Sequence, residues 1–451
     1  MAVFPLPQLE DNAVLLPSSQ TNSTQPQLCD VWRDIPGARN WNGLLDPMVP
    51  NLKAEALRYE NLAQLCYDAF DGKSYSKNYG TCYHSKRDLF NKMGMSESGY
   101  HVTKYVYANT NLLNQVFGEK PKDQGVWLGF IAVCTDPNEI RRLGRRDIRT
   151  GKNQEHHFAD GVLIETGFLS CYTSTIRHRQ GFAGATVNIS TRDLVVSEIN
   201  RLIQVYEKEM DNLSITFTRH SLGAALKTLS AYDIKQMLCT KHNFHQIPVT
   251  VFAFASPRVG NLAFAKRVEE IRVKVLRFVN KRDLVPKVPG VCMNENVRCL
   301  SKLLHWLPWT YFHVGVELPL HNNSPFIQHT HNLAYFHNLE LYLHLLDGYV
   351  GSKQPFSWSG RDHALVNKSC DLLREKYEIP PKWWQEQNKG LVKGPDGKWT
   401  QPSEERNNSC LTQLQMTSTS NVLRCNVTTT LNLKREMKST MQEFIAVDDT
   451  D

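Results

Sequence analysis

The sequence predicts an α/β fold in which a mostly parallel sheet is covered by helices on both faces. Apolar β-forming runs alternate with amphipathic helical runs between about residue 126 and residue 347. One stretch, residues 213–233, combines a strand, a sharp turn and a helix, which is the repeating unit of such a sheet. These two observations define the fold class before any single residue is considered.

The turn inside residues 213–233 carries the first candidate for chemistry. Residues 215–218 are β-formers, and from Leu222 onward small and apolar residues recur at helical spacing. A serine between such a strand and such a helix has its hydroxyl exposed at the carboxyl edge of the sheet, as in the G-x-S-x-G nucleophile elbow. Ser221 is therefore the candidate nucleophile, and the backbone N–H of Leu222 is the candidate oxyanion donor.

The remaining elements are predicted from the same periodicities. The segment between Arg141 and Arg146 is strongly basic, and we interpret it as part of a solvated helix, with phosphate or headgroup contact as the alternative. Helices are expected within 32–71 and over 139–147, 191–210 and 335–347, and strands over 101–108, 126–134, 249–255 and 273–279.

Composition predicts five segments along the chain. We expect a disordered N-terminus at 1–28, a helical extension at 29–105, the α/β domain at 106–350, a C-terminal extension at 351–402 and a disordered tail at 403–451. The first 28 residues are rich in Pro, Ser and Gln, and the last segment is rich in Ser, Thr and Asn without periodicity. The central segment is large enough for a substantial core.

Composition also narrows the classes of function. The chain has 451 residues, a formal net charge of +7 and no apolar run near the roughly 18 residues that span a bilayer. Its eleven cysteines include no C-x-x-C pair, so we expect reduced thiols rather than a zinc site. No secretory signal or Arg-rich transit peptide is readable. We expect no transmembrane segment and no nucleic-acid partner.

Acyl transfer by a serine needs a base and a carboxylate that orients it. Asp283 follows the predicted strand that ends at Val279 and is the candidate acid, with a turn or capping role as the alternative. The order Ser, Asp, His would place the base downstream. Spacing cannot choose among the histidines there, which are His305, His313, His321, His329, His331, His337 and His344.

Several longer motifs make the chain recognisable. They include residues 32–37 (WRDIPG), 42–47 (NGLLDP), 220–223 (HSLG), 254–261 (FASPRVGN), 283–290 (DLVPKVPG), 337–348 (HNLELYLHLLDG) and 361–369 (RDHALVNKS). From about residue 29 to residue 402 the chain resembles the plant acylhydrolases of the class 3, fungal-lipase-like group, specifically the plastid class I phospholipase A1 proteins.

The resemblance implies an α/β-hydrolase fold of the class 3 lipase type and a triad of Ser221, Asp283 and His337, with His313 as a structural neighbour. It implies hydrolysis of acyl esters of membrane phospholipids, galactolipids or triacylglycerols, without cofactor or metal. It also implies a chloroplast location; the cytoplasm is the alternative.

The chain departs from the family pattern at two places. Arg219 stands where the family has the first glycine of the elbow, and we expect a distorted elbow or an arginine that escapes to solvent. After Ile148 the family continues a central strand that ends in Arg-Gly-Thr and supplies a second oxyanion donor. Here residues 149–160 are polar, and we predict that no central strand forms there and that only Leu222 remains as a donor.

These departures leave three hypotheses about function. The first is a lipid acyl hydrolase that cleaves the sn-1 ester. The second is a catalytically impaired lipase relative that binds lipid or a partner. The third is an α/β-hydrolase that acts on soluble esters. The aromatic stretch 306–312 favours an apolar acyl site, and therefore a lipid substrate, although ordinary core packing explains that stretch equally well.

Overall fold

The computed structural model describes residues 32–72, 76, 79–109, 125–143, 146–149, 161–180, 185–240, 244–289, 310–321, 323–384, 392–393 and 399–400. Within these ranges the chain forms eight α-helices, several short 3₁₀ helices and eleven strands. The helices are α1 Pro50–Asp68, α2 Leu89–Lys92, α3 Pro137–Leu143, α4 Thr166–Thr173, α5 Thr191–Val205, α6 Leu222–Cys239, α7 Leu262–Glu270 and α8 Leu339–Asp347.

The strands are β1 Tyr100–Ala108, β2 Val126–Cys134, β3 Arg146–Arg149, β4 Thr175–Gln180, β5 Ala185–Ser190, β6 Leu213–His220, β7 Val249–Phe254, β8 Val273–Asn280, β9 Val316–Leu320, β10 Val392–Lys393 and β11 Trp399–Thr400. Seven of them form one sheet in the order β1-β2-β3-β6-β7-β8-β9. Strands β3 and β6 to β9 run parallel, and β1 and β2 are antiparallel at one edge. The predicted mostly parallel α/β sheet is confirmed.

The sheet is buried on both faces because successive residues of its strands point to opposite sides. In β7, Phe252 and Phe254 belong to one core cluster, together with residues of α1 and α8. Val249 and Val251 of the same strand belong to a second cluster, together with residues of α5, α6 and α7. The carboxyl ends of β6, β7 and β8 therefore meet at one edge between two helical layers.

Most predicted elements are present with small changes at their ends. The helix expected over 191–210 ends at Val205 and continues as a 3₁₀ helix, Glu207–Asn212, and the helix expected from 335 begins as the 3₁₀ helix Leu333–His337. The helix expected over 139–147 is wrong at its end: α3 stops at Leu143, and Arg146 begins β3. The strand β9 was not predicted, because its short run is interrupted by Pro319.

The expected boundary between a helical extension and the α/β domain at 105/106 falls inside β1, which runs from Tyr100 to Ala108. The extension is also packed onto the sheet. The Thr218 hydroxyl donates to the carbonyl of Tyr59 in α1 at 3.2 Å, and the Tyr59 ring lies 4.5 Å from the ring of Phe252. Residues 50–68 therefore cover the central strands. The predicted disordered ends, 1–28 and 403–451, lie outside the described residues.

In the ranges that the structure describes, no helix is long and apolar enough to cross a membrane. The longest one, α1, has 19 residues and contains several charged side chains. Its buried face includes Glu60, which is fully buried and has no hydrogen-bond partner for either carboxyl oxygen among the described residues. Burial raises the pKa of Glu60 well above its usual value, although the charge of Arg361 acts in the opposite direction.

The raised pKa of Glu60 predicts that the stability of the fold depends on pH. A raised pKa means that the folded state holds the Glu60 proton above pH 4.5 while the unfolded chain releases it, so Glu60 destabilises the fold increasingly as the pH rises. We expect Glu60→Gln to raise the free energy of unfolding, by about 1 kcal/mol at pH 8 and by less at pH 5. Urea unfolding of both proteins at the two pH values measures this difference; an equal effect at pH 5 and pH 8 would contradict it.

Candidate active site

Ser221 lies at the turn between β6 and α6 and has φ = 58° and ψ = −137°. A non-glycine residue with this backbone conformation is strained by about 1–3 kcal/mol and is held by its surroundings. The backbone N–H of Ser221 donates to the carbonyl of Phe254 at the end of β7, at 2.9 Å. The predicted strand–turn–helix geometry is therefore present, with the serine at its tip.

The structure brings the other two predicted site residues to Ser221. The His337 Nε2 atom lies 2.7 Å from Ser221 Oγ, and the His337 Nδ1 atom lies 2.7 Å from Asp283 Oδ2. An ionised Asp283 can only accept, so Nδ1 carries the proton and Nε2 accepts from the serine hydroxyl. His337 is 23% exposed and Asp283 is 1% exposed, so the base faces the opening and the acid is buried.

The position of Asp283 is set by the residues around the end of β8. The Tyr342 hydroxyl of α8 donates to Asp283 Oδ2 at 2.7 Å, and the Val285 N–H donates to Asp283 Oδ1 at 2.9 Å. Asn280 donates from its side chain to the carbonyl of Phe336, next to His337. These bonds join the β8 end to the segment that carries the base, so the carboxylate and the imidazole are held in register.

Two of the other candidate bases, His313 and His344, have hydrogen-bond partners other than Ser221 and Asp283. The His313 Nε2 atom lies 2.8 Å from the carbonyl of Pro286, and burial, with Arg277 and Arg258 nearby, lowers the pKa of His313 to about 2. The buried His344 is bonded to Ser324 Oγ at 2.7 Å. His313 is thus a structural neighbour of the site, as expected. His305 lies outside the described residues.

Leu222 is the first residue of α6, immediately after Ser221. The N–H groups of the first helical turn have no acceptor within the helix, and the helix dipole places partial positive charge there. The Leu222 N–H is therefore suitably placed to donate to an oxyanion that forms beside Ser221 Oγ. Residues 150–160, on which a second donor was expected to be missing, lie outside the described residues.

Arg219 neither distorts the elbow nor escapes to solvent, contrary to expectation. It is partly buried. Its Cγ atom occupies the space that a Cβ atom on Gly223 would need. Its Nη1 atom lies 3.4 Å from the position that a Cβ atom on Gly129 would take. The guanidinium carbon is 5.6 Å from the centroid of the Tyr67 ring. The two glycines leave the room that the arginine side chain needs.

A central strand, β3, is present at Arg146–Arg149, whereas residues 150–160, which carry most of the prediction that no central strand follows Ile148, lie outside the described residues. Strand β3 lies between β2 and β6, and its described residues pair β6 from Leu213 to Thr216. Residues of α1, β2, β6 and α6 line a cavity of about 30 Å³, and they are Leu62, Cys66, Leu128, Gly129, Phe130, Thr216, Thr218, Arg219 and Lys227.

Sequence reasoning missed the residues that support the triad. Tyr342 lies inside the recognised motif 337–348 and is buried on α8. The signal that the sequence offers for it is an aromatic residue on the apolar face of a predicted helix. His220 is adjacent to the nucleophile, yet nothing in the local pattern indicates what its side chain contacts. Its partner Tyr67 is 153 positions away. Such contacts depend on the packing of α1 and α8 against the sheet.

A serine at an elbow, a histidine at hydrogen-bond distance and a buried carboxylate behind it are the arrangement of a carboxylic-ester hydrolase of the α/β-hydrolase class. Residues 145–293 match the family Lipase (class 3). That match includes Ser221 and Asp283.

Relatives extend the match over most of the chain. The chain is 42% identical to phospholipase A1-Igamma1, chloroplastic, of Arabidopsis thaliana over 414 residues, which cover 84% of this chain and 79% of the relative. It is 37% identical to Galactolipase DONGLE, chloroplastic, of the same plant (77% and 76% covered), and 34% identical to phospholipase A1-II 4 of Oryza sativa subsp. japonica (84% and 96% covered). The chain belongs to the class 3 lipase family, in the branch that contains the plant phospholipase A1 proteins.

Solved fungal lipases are also similar to the chain, more distantly. A mutant form of MDLA from Penicillium cyclopium is 21% identical, with a TM-score of 0.35, and the alignment covers 63% of this chain and 84% of that chain. The Rhizomucor miehei triacylglyceride lipase is 16% identical, with a TM-score of 0.35 and coverages of 61% and 83%. The assignment to the family rests on the plant relatives.

The contact between Arg219 and Gly223 predicts a double-mutant cycle. A Cβ added at Gly223 would overlap Arg219, whose atoms are the three nearest to it. Gly223→Ala should therefore destabilise the protein by about 1–3 kcal/mol, although alanine is normally about 1 kcal/mol better than glycine in a helix. In the Arg219→Gly background the same change should be neutral or stabilising. Unfolding free energies of the four proteins measure the coupling, and additive effects would show that the two side chains do not compete for space.

Proposed function

We propose that the chain is a lipid acyl hydrolase that removes the sn-1 acyl chain from membrane phospholipids or galactolipids. The observation that carries the proposal is the pair of 2.7 Å contacts that join Ser221, His337 and Asp283. The names of the plant relatives, phospholipase A1 and galactolipase, support this class of substrate. Because several of these relatives are described as chloroplastic, we also propose a plastid location.

In this proposal, His337 takes the Ser221 proton while the hydroxyl oxygen attacks the ester carbonyl. The carbonyl oxygen becomes an oxyanion next to the Leu222 N–H, and Asp283 stabilises the imidazolium. The intermediate expels the lyso-lipid alkoxide, which takes the proton from His337, and leaves an acyl-serine. A water molecule, deprotonated by His337, then releases the fatty acid and restores the serine.

The proposal is tested with mixed phospholipid and galactolipid vesicles in which each lipid has palmitate at sn-1 and oleate at sn-2. We expect release of palmitate by the wild type and a loss of at least about 10³-fold in Ser221→Ala. Asp283→Asn should fall by a similar factor, because it misorients the base. Ser197→Ala, an exposed serine on α5, is the matched control and should keep full activity.

Each other outcome has a definite meaning. Release of oleate instead of palmitate would overturn the sn-1 assignment and keep the hydrolase. Hydrolysis of a short soluble ester without any release from vesicles would favour a soluble-ester hydrolase. Equal release by the wild type and Ser221→Ala would favour a lipase relative that binds lipid without cleaving it.

A further inference from the structure

His220 is a buried aromatic side chain that touches the proposed catalytic base. It is 95% buried, and its ring centroid lies 4.5 Å from that of His337, with 36° between the ring planes. Its Nδ1 atom lies 3.1 Å from the Tyr67 hydroxyl of α1. Its Nε2 atom has no hydrogen-bond partner among the described residues. His220 thus contacts the base through its ring.

The surroundings keep His220 neutral. Burial lowers the pKa of His220 well below its usual value, and His337 and Arg219 act in the same direction. A neutral imidazole has one N–H and one acceptor nitrogen. The Nδ1 atom can take either role toward the Tyr67 hydroxyl, which is able both to donate and to accept. This bond fixes the orientation of the His220 ring.

We propose that His220, held by Tyr67, is a positioning residue that keeps the His337 imidazole aligned between Ser221 and Asp283. The proposal rests on the proposed hydrolase function and deepens it. His337 is 23% exposed, and solvent does not fix the orientation of its imidazole on the exposed side. The His220 ring packs against the imidazole and restrains it. A neutral neighbour also tolerates the imidazolium that His337 becomes in the reaction, whereas a charged neighbour would repel it.

Tyr67 brings α1 into this arrangement. Its ring is 47% exposed and lies 5.6 Å from the Arg219 guanidinium carbon, which covers it from the elbow side. Tyr342, which donates to Asp283, has its ring 6.0 Å from His220. The His220 ring is therefore enclosed by Tyr67, His337 and Tyr342. Displacing it would free His337 without changing any residue that reacts.

The test uses the full chain and the rate at which a fluorophosphonate labels Ser221, together with kcat and KM for a soluble ester. We expect His220→Ala to slow labelling and kcat about 10- to 100-fold, because a small misplacement of the base has effects of this size. KM should change less than about 2-fold, since no substrate contact is lost. His220→Phe keeps a buried ring and should recover most of the loss.

Tyr67→Phe is the milder variant, because the side chain is half exposed and only one hydroxyl is removed. We expect a 3- to 10-fold slower labelling, the effect of one lost hydrogen bond. Tyr83→Phe, another tyrosine that is 43% exposed, is the matched control and should label like the wild type. Thermal unfolding of each variant shows whether it is folded, and if His220→Ala is not folded, Tyr67→Phe decides.

The outcomes separate the two levels of the argument. No labelling of the wild type, with Ser221→Ala as the blank, would refute the hydrolase function itself. A labelled wild type with equally fast His220→Ala or, where that variant is unfolded, equally fast Tyr67→Phe would overturn the positioning role alone. A folded His220→Phe as slow as His220→Ala, or a loss expressed in KM rather than kcat, would also overturn it.

Discussion

The backbone of Ser221 is the constraint on which the site depends. The chain passes from β6 directly into α6 without a connecting loop, so one residue must turn it, and that residue has φ = 58°. The strain is balanced by the burial of β6 in the middle of the sheet and by the hydrogen bond from Ser221 N–H to Phe254. The same turn exposes the hydroxyl, starts a helix at Leu222 and directs the serine toward the end of β8.

The acid and the base are held by a different layer of the molecule. Asp283 follows β8, and His337 precedes α8. The Tyr342 hydroxyl of α8 connects this helix to the end of β8, because it donates to Asp283 and accepts from the N–H of Asn280. Helix α1 adds the third support through Tyr67 and His220. The residues before the sheet are therefore part of the site's support. Composition assigns residues 29–105 to a separate extension, but helix α1 of this segment packs against the sheet and belongs to the domain.

The sequence predicted what depends on local pattern. The alternation of strands and helices gave the sheet, and the turn at 219–223 indicated Ser221, because both signals lie within a few residues. The base was different: seven candidate histidines cluster between residues 305 and 344, and local spacing does not say which one reaches the elbow. Only a resemblance to known proteins selected His337. The choice depends on β9 and on the 3₁₀ helix Leu333–His337, whose positions follow from strand pairing across the sheet.

Arg219 shows why the remaining errors occurred. From the sequence, an arginine in a glycine position and a short polar run after Ile148 are two separate defects, each harmful in an otherwise unchanged framework. In the structure, Arg219 is partly buried and is accommodated beside Gly223, Gly129 and the ring of Tyr67. The arginine that replaces the family's glycine in the turn thus takes its room from two other glycines, one on α6 and one on β2. The effect of a substitution at this elbow is therefore set by the residues that pack around it as well as by the residue itself.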